Sequence, residues 1–323
     1  MEVSLKGPLE LLTGRPSGCK VYDRAWGFEG CMFARVTACF HAVGAARKHV
    51  VNWPELVLKA FSSSDGVFRS RAGGSISCDG KVLLRQLVSL ENSWRYYGDV
   101  LGVVRFEGDS LVIPNYFGRD FRIPLRAVGV APPSAFLKYY PFDVKGEVVL
   151  DIGAYLGDTP LMWLYRGARG VIAVEPVPLH FRYLEKNVEA LPVTCLNVSL
   201  ASPLPNIKGM EGWIGYGLWD EANDDVIDVP AVQLMELVEQ YRPTIVKLNC
   251  EGCEHYVLEQ LAELSKLGVK RIAVDFHTVK NYDAYASYKF LEEKLGKAVR
   301  VLEKTSVNLS GKTIKIIKAY WSL

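Results

Sequence analysis

Val148-Val149-Leu150-Asp151-Ile152-Gly153-Ala154-Tyr155-Leu156-Gly157-Asp158-Thr159, followed by Val171-Ile172-Ala173-Val174-Glu175-Pro176, is the stretch that decides the fold. An apolar run ends in an acid and a glycine-containing turn follows. A helical pattern comes next, then a second apolar run that ends in a carboxylate. The alternation predicts two parallel strands joined by a helix. In such sheets the residues that follow the strands gather along one edge, where ligands bind.

The turn itself narrows the ligand. A dinucleotide site calls for G-x-G-x-x-G with a helix N-terminus aimed at a pyrophosphate. Here the pattern is D-x-G-x-x-x-G-D, and Asp151 and Asp158 flank the turn. Two acids disfavour a pyrophosphate and suit a cationic or neutral ligand tail. A sulfonium with an ammonium, as in S-adenosylmethionine, meets that requirement. Gly153 and Gly157 are expected to let backbone approach the ligand, since a side chain there would fill its volume. Glu175, at the tip of the second strand, is placed to accept hydrogen bonds from two ribose hydroxyls. The bland alternative is a strand-to-helix turn with no ligand, and the Glu175-Pro176 ending argues against it.

The bulk composition sets limits around this motif. The chain has 323 residues, 49% of them hydrophobic and 23% charged, with a net charge of +2. That is the balance of a soluble globular protein of one large domain or two. The near-neutral charge shows no global bias toward a polyanion. There are seven cysteines: Cys19, Cys31, Cys39, Cys78, Cys195, Cys250 and Cys253. An odd count without a basic-then-apolar leader predicts reduced thiols in a cytoplasmic protein. The run from Cys31 to Ala46 is interrupted by Arg35 and His41 and reads as a buried helix; no membrane association is expected.

Two regions follow from the periodicity. Residues 1–133 read as a mainly helical region, with helices at Cys31–Lys48, from Trp53 onward, and at Lys81–Tyr97. Ser62–Gly66 and Ala72–Gly74 read as loops. Asn52 is a candidate N-cap, with Pro54 in the first turn. A β-hairpin is expected at Val103–Phe106 and Ser110–Ile113 around Glu107-Gly108-Asp109, with Phe121–Leu125 as a further strand. Ala131-Pro132-Pro133-Ser134 is the linker candidate. From residue 134 to 323 strand and helix alternate. Strands fall at Val148–Ile152, Val171–Val174, Val193–Val198, Thr244–Leu248 and Arg271–Phe276, with helices at Thr159–Arg166, Leu179–Ala190, Leu234–Tyr241, Glu254–Leu267 and Tyr282–Leu295. Ala298–Leu302 and Thr313–Lys318, joined by Asn308–Lys312, follow without an intervening helix and form an antiparallel end. The predicted fold is α/β: a Rossmann-like, seven-stranded, mostly parallel sheet of the class I methyltransferase type.

The same residues resemble the FkbM-type family of S-adenosylmethionine-dependent methyltransferases. The likeness rests on Leu150–Thr159, on Gly167–Pro176, on Val246-Lys247-Leu248-Asn249-Cys250-Glu251-Gly252-Cys253-Glu254 and on Asp275-x-His277. It covers about residue 138 to the end. The family's pattern after strand four is Lys-x-Asp-x-Glu-Gly-x-Glu, and Asn249 stands where the Asp is usual. The substitution removes one negative charge but keeps hydrogen-bonding capacity.

The resemblance and the sheet edge together assign roles. Asp151, Gly153, Ala154, Tyr155, Gly157, Asp158 and Thr159 are the expected donor-binding turn, Asp158 and Thr159 as helix caps that reach the methionine part. Glu175 and Pro176 lie at the ribose, and Asn197 and Val198 border the adenine. Asn249, Glu251 and His277 are the catalytic candidates, His277 as a neutral imidazole that accepts a proton. Asp275 and Glu254 are weaker ones. Glu251 could instead cap the next helix through Gly252. A divalent ion on Glu251, His277 and the Asn249 carbonyl is chemically possible but not expected without the carboxylate at 249. Cys250-x-x-Cys253 reads as packing within the strand-four motif, against a redox or zinc site. Trp213, Tyr216 and Trp219, in the glycine-rich stretch 209–225, are candidate substrate contacts.

The implied activity is methyl transfer to oxygen of a hydroxylated small-molecule or glycan acceptor. RNA is the alternative acceptor, because Arg182-Tyr183-Leu184-Glu185-Lys186-Asn187 is similar to a run in tRNA guanine methyltransferases. Arg35, Arg47, Lys48, Arg69, Arg71 and Arg85 are basic but scattered. Against that alternative, Leu248-Asn249-Cys250-Glu251 replaces the Asn/Asp-Pro-Pro-Tyr/Phe clamp of amino-methylating enzymes. A fold that binds the donor without catalysis is the third reading.

Overall fold

The computed structural model describes residues 22–23, 28–29, 32–125, 130–140, 142–200, 204–207, 222–227, 229–278, 282–307 and 313–323. The chain divides into two compact units, with the boundary between Ala135 and Phe136. Among the described residues, no helix is long and apolar enough to cross a membrane.

The amino-terminal unit opens with a short pair, β1 (Tyr22–Asp23) and β2 (Phe28–Glu29), then α1 (Met32–His49) and α2 (Trp53–Ser62). A hairpin of β3 (Asp65–Arg69) and β4 (Ser75–Asp79) leads into α3 (Gly80–Tyr97). A three-stranded antiparallel sheet of β5 (Arg105–Glu107), β6 (Ser110–Tyr116) and β7 (Arg119–Pro124) closes the unit. Glu107 pairs with Ser110, so Gly108-Asp109 is a two-residue hairpin loop, and Gly108 carries its φ of 62°. The hairpin β3–β4 takes in Asp65-Gly66, expected to be loop, and its strands are joined through Ala72–Gly74, the other expected loop. Its strands are short and polar, and only Phe68 and Ile76 are well buried, so the two-residue period is weak.

Asn52 does not cap α2. Its amide instead bridges to β3, donating to the Val67 carbonyl at 2.9 Å and accepting from the Arg69 N–H at 3.0 Å. Asp79 does cap α3, through the N–H groups of Lys81 and Val82. A buried junction ties α1 to α3: His49 Nε2 lies 2.7 Å from Glu91 and Lys48 Nζ 2.6 Å from it, while His49 Nδ1 accepts from Val104 N. With Nδ1 an acceptor, Nε2 must carry the proton and donate to Glu91.

The carboxy-terminal unit begins in α4 (Pro133–Tyr139), which occupies part of the expected linker. Pro133 starts the helix, where a missing N–H costs nothing. Strands β8 (Val148–Ile152), β9 (Gly170–Val174), β10 (Val193–Leu196), β13 (Ile245–Leu248), β14 (Arg271–His277), β15 (Arg300–Val307) and β16 (Thr313–Ser322) form one sheet in the order β10-β9-β8-β13-β14-β16-β15. The first five are mutually parallel, and β16 is antiparallel to both neighbours. This is the Rossmann-like sheet of class I methyltransferases. The crossovers are α5 (Asp158–Tyr165), α6 (Pro178–Asn187), α7 (Leu234–Tyr241), α8 (Leu258–Glu263) and α9 (Ala284–Leu295); β11 (Leu204–Ile207) and β12 (Ala222–Ile227) form a separate hairpin. The helix expected at Glu254–Leu267 is broken: only α8 is α-helical, and a 3₁₀ turn flanks it on each side. Asn308–Lys312 and the aromatics Trp213, Tyr216 and Trp219 lie outside the described residues.

The two sheet faces differ in chemistry. On one, Leu150, Ile152, Val246, Leu248, Ile272, Val274 and Phe276 pack against Leu237, Val238, Leu261 and Leu291 of the helices. The other face carries two buried ion pairs between register partners, Asp151–Lys247 and Asp275–Lys318. Lys247 is 1% exposed, and its ammonium lies 2.8 Å from Asp151 Oδ1. It also donates to the carbonyls of Ile152 (3.3 Å) and Gly153 (2.8 Å). Trp163 of α5 donates to the other Asp151 oxygen at 2.9 Å. Removing one partner of a buried pair strands the other charge. Lys247→Met should therefore destabilise the unit by about 3–5 kcal/mol, and Asp151→Asn in the same chain should restore part of it. Thermal denaturation of the two variants and the parent measures both effects.

Candidate active site

Three strand ends shape the first half of the site. After β8 the backbone turns through Gly153 (φ 78°), Tyr155 (φ 51°) and Gly157 (φ 96°). Gly153 N and Ala154 N both donate to the Val174 carbonyl at 3.0 Å, which locks the turn to β9. The glycines are needed for reasons other than the expected one. A Cβ on Gly153 would lie 1.9 Å from the Asn249 carbonyl oxygen, and one on Gly157 would lie 3.2 Å from Leu184 and Val188 side chains. The protein itself fills the space into which a Cβ would point. Asn187, the last residue of the run that resembles tRNA enzymes, is fully buried and donates to the Leu156 carbonyl at 2.8 Å. It holds the same turn from α6.

Glu175 is 5% exposed. Its Oε2 accepts from Tyr155 N at 2.9 Å, and its Oε1 accepts from Val177 N at 3.0 Å. His180 Nδ1 is 3.5 Å from the same Oε1. Each carboxylate oxygen has two lone pairs, so acceptor capacity is left over for hydroxyls. Asn197, after β10, donates to the carbonyls of Glu175 and Pro176 at 2.8 and 2.9 Å. It fixes the Glu175-Pro176 corner, and Val198 follows it. Asp158 is the first residue of α5; Gly157, not Asp158, stands at the cap. The Asp158 carboxylate accepts from Thr159 N at 2.9 Å. Burial, and to a lesser extent the charge of Asp151, push its pKa up to about 7 against the pull of Lys247 and the N–H. Thr159 Oγ1 and Asn249 Oδ1 are buried with no hydrogen-bond partner among the described residues.

The second half follows β13 and β14. Asn249 N donates to the Ile152 carbonyl at 3.0 Å, so the two halves adjoin through the backbone. Glu251 takes a left-handed φ of 57° and its side chain is 42% exposed. Glu254 has no exposure. Its Oε1 accepts from His277 N and faces His277 Nδ1, both at 2.8 Å, and its Oε2 accepts from Gly252 N at 3.0 Å. Glu254 therefore does the turn-capping considered for Glu251, and it serves His277 as a buried counter-ion. Its own pKa falls: burial would raise it, but the adjacent imidazolium wins. Glu251 stands 3.7 Å from His277 Nε2.

His277 is not the neutral base expected. Burial alone would lower its pKa, but Glu251 and Glu254 reverse that and hold it at about 9. At neutral pH it is an imidazolium with both ring nitrogens protonated. Asp275 is occupied by Lys318.

The sequence gives no sign of His255, and it shows Lys247 only as the first residue of the strand-four pattern, without a role. His255 is buried between Ser287 Oγ (2.7 Å) and the His277 carbonyl (2.6 Å), and it stacks on Tyr282. Its partners are far away in sequence, so no local signal marks it. A second correction concerns Cys250 and Cys253, expected to be packed thiols. They form a disulfide.

The charge state of His277 has a measurable consequence. Its folded pKa of about 9 exceeds the ordinary 6.5. The stability it contributes is therefore complete below pH 6.5 and is lost as pH rises through 9. His277→Gln should be less stable than the parent at pH 6, and the gap in melting temperature should shrink by pH 10. Melting curves across that range test it.

Residues 151–302 match the methyltransferase FkbM domain. No curated protein sequence matches the chain. Among solved structures, it is similar to M. jannaschii TYW2 in complex with S-adenosylmethionine, with 16% identity, 68% of this chain and 89% of that one covered, and a TM-score of 0.40. It is similar to a SAM-dependent methyltransferase from Agrobacterium tumefaciens (13% identity, 69% and 74% covered, TM-score 0.42). A third is the precorrin-6y C5,15-methyltransferase from Geobacter metallireducens (17% identity, 59% and 87% covered, TM-score 0.37). Within the carboxy-terminal unit, residues 151–302 are a methyltransferase FkbM domain.

Proposed function

We propose that residues 134–323 bind S-adenosylmethionine and methylate a hydroxyl of a small-molecule or glycan acceptor, with residues 1–133 as a separate domain. The observation that carries this reading is the backbone junction at Asn249. It sets the Gly153–Thr159 turn and its buried acid beside Glu251 and His277 on one sheet edge. When bound, the donor supplies an electrophilic methyl on a sulfonium.

The buried groups suit such a ligand. Glu175 has spare acceptor sites for ribose hydroxyls. Asp158 offers a charge for the ammonium once ionised, and the free Thr159 Oγ1 and Asn249 Oδ1 offer further polar contacts. Asn197 and Val198 border the adenine.

Glu251 is the proton acceptor in this scheme. It follows strand four, and although its side chain is 42% exposed, the partial burial of its carboxyl, the largest influence, raises its pKa against the pull of His277. A carboxylate so raised is a better base than a free one. The His277 imidazolium keeps Glu251 charged and oriented while Glu254 holds His277. As the acceptor oxygen bonds to the methyl carbon, the carbon–sulfur electron pair stays on sulfur and the hydroxyl proton passes to Glu251. RNA is the second acceptor class, and donor binding without transfer is the third reading.

Glu175→Ala should weaken S-adenosylhomocysteine binding about 10- to 100-fold by calorimetry, the scale of charged hydrogen bonds. Unchanged affinity removes the ribose assignment. Glu251→Gln should keep donor binding and lose transfer to hydroxylated acceptors; transfer only to RNA pools would promote the second reading. Asp158 adds a pH signature. Donor affinity should rise as pH climbs through about 7, where Asp158 ionises, and Asp158→Asn should flatten that rise.

A further inference from the structure

Cys250 and Cys253 sit in the turn that follows β13, on either side of Glu251. Their Cα atoms are 5.4 Å apart, inside the range a disulfide spans without backbone movement. Cys250 is half-buried and Cys253 is 4% exposed, so an attacking or leaving group reaches Cys250 Sγ first. The turn between them is unusual in its backbone: Glu251 and Gly252 both have positive φ, at 57° and 113°.

Both oxidation states have their polar groups satisfied. Cys250 Sγ is 3.2 Å from Glu254 Oε2. In the dithiol its S–H donates to that oxygen, and in the disulfide Oε2 still accepts from Gly252 N. Neither state leaves a buried carboxylate oxygen without a donor, which is what a reversible couple requires.

The turn also touches the donor side directly. A Cβ on Gly153 would lie 1.9 Å from Asn249 O and 3.3 Å from Cys250 Cα, so any backbone shift at 249–253 meets the glycine turn. The closed ring holds Glu251 and the Asn249 carbonyl in place, and opening it releases both.

We propose that Cys250 and Cys253 are a reversible dithiol–disulfide couple, exchanging with small-molecule disulfides, whose oxidation state sets donor affinity at the adjoining glycine turn. This rests on the donor-site reading above. The exchange balances. The Cys250 thiol gives its proton to Glu254 and its sulfur attacks a disulfide RSSR, releasing one RS⁻. Cys253 then loses its proton and attacks Cys250 Sγ, releasing a second RS⁻. The pair is oxidised by two electrons, and the two thiolates leave with the two protons as RSH. Cys78 and Cys195, pushed by burial up to about 12 and about 11, do not compete as nucleophiles.

The test uses the full chain equilibrated in mixtures of reduced and oxidised glutathione. Alkylation and peptide mass spectrometry follow residues 250–253, and calorimetry with S-adenosylhomocysteine measures affinity in each end state. The pair should interconvert. The reduced chain should bind more weakly than the oxidised one by about fivefold or more, the scale of site-to-site coupling. A Cys250→Ser, Cys253→Ser chain should match the reduced form whatever the mixture. A pair that stays in one state throughout, or equal affinity in both states of the parent chain, overturns the proposal. Interconversion with no binding in any state instead overturns the donor-site reading, and with it the coupling.

Discussion

One buried ammonium organises the carboxy-terminal unit. Lys247 reaches across the sheet from β13 to neutralise Asp151 and to draw in the carbonyls of Ile152 and Gly153. Those are the last residue of β8 and the first of its turn. The same charge thus settles strand register, closes the strand and aims the loop that begins the site. Its neighbours depend on it in turn: Asp151 satisfies Trp163 of α5, and Asp158 feels both Asp151 and Lys247. An apolar residue at 247 would pack as well in a parallel sheet, but it would take the ammonium donor from the Gly153 carbonyl and leave the buried Asp151 charge without its counter-ion.

From that pair the site grows by short backbone contacts rather than by long side chains. Asn249 N meets Ile152 O, Gly153 N meets Val174 O, and Tyr155 N meets Glu175. Three strand ends are therefore cross-linked before any ligand arrives. Preorganisation of this kind keeps binding energy from being lost in ordering the loops. The electrostatic centre lies on the other side, where one imidazolium is shared between Glu254, fully enclosed, and Glu251, open to water. Two acids of like type are given separate tasks by burial alone.

The sheet was legible because its parallel strands are short apolar runs, two of which end in carboxylates, and a parallel sheet buried on both faces leaves such runs. Strand limits such as Val148–Ile152 agree for the same reason. What escaped is non-local. The sequence shows a glycine at 157 but not that α6 needs the room. It shows Glu254 and His277 but not that they touch, and so it leaves the histidine neutral. It shows two cysteines but not the positive-φ turn that brings them together. The hairpin β3–β4 was missed because a polar two-strand ribbon carries little periodicity, and the helix after β13 was over-extended because 3₁₀ turns share its spacing.

The order of the final strands has a consequence for how the chain is made. β16 fills the gap between β14 and β15, pairing with residues 271–277 and 300–307. Every one of those partners is synthesised before residues 313–322 leave the ribosome. Until then the inner edge of β14, with its buried Val274 and Phe276, has no strand beside it. The nascent molecule carries a sticky hydrogen-bonding edge until its last strand emerges, and the hazard of pairing with the wrong partner is concentrated in that interval.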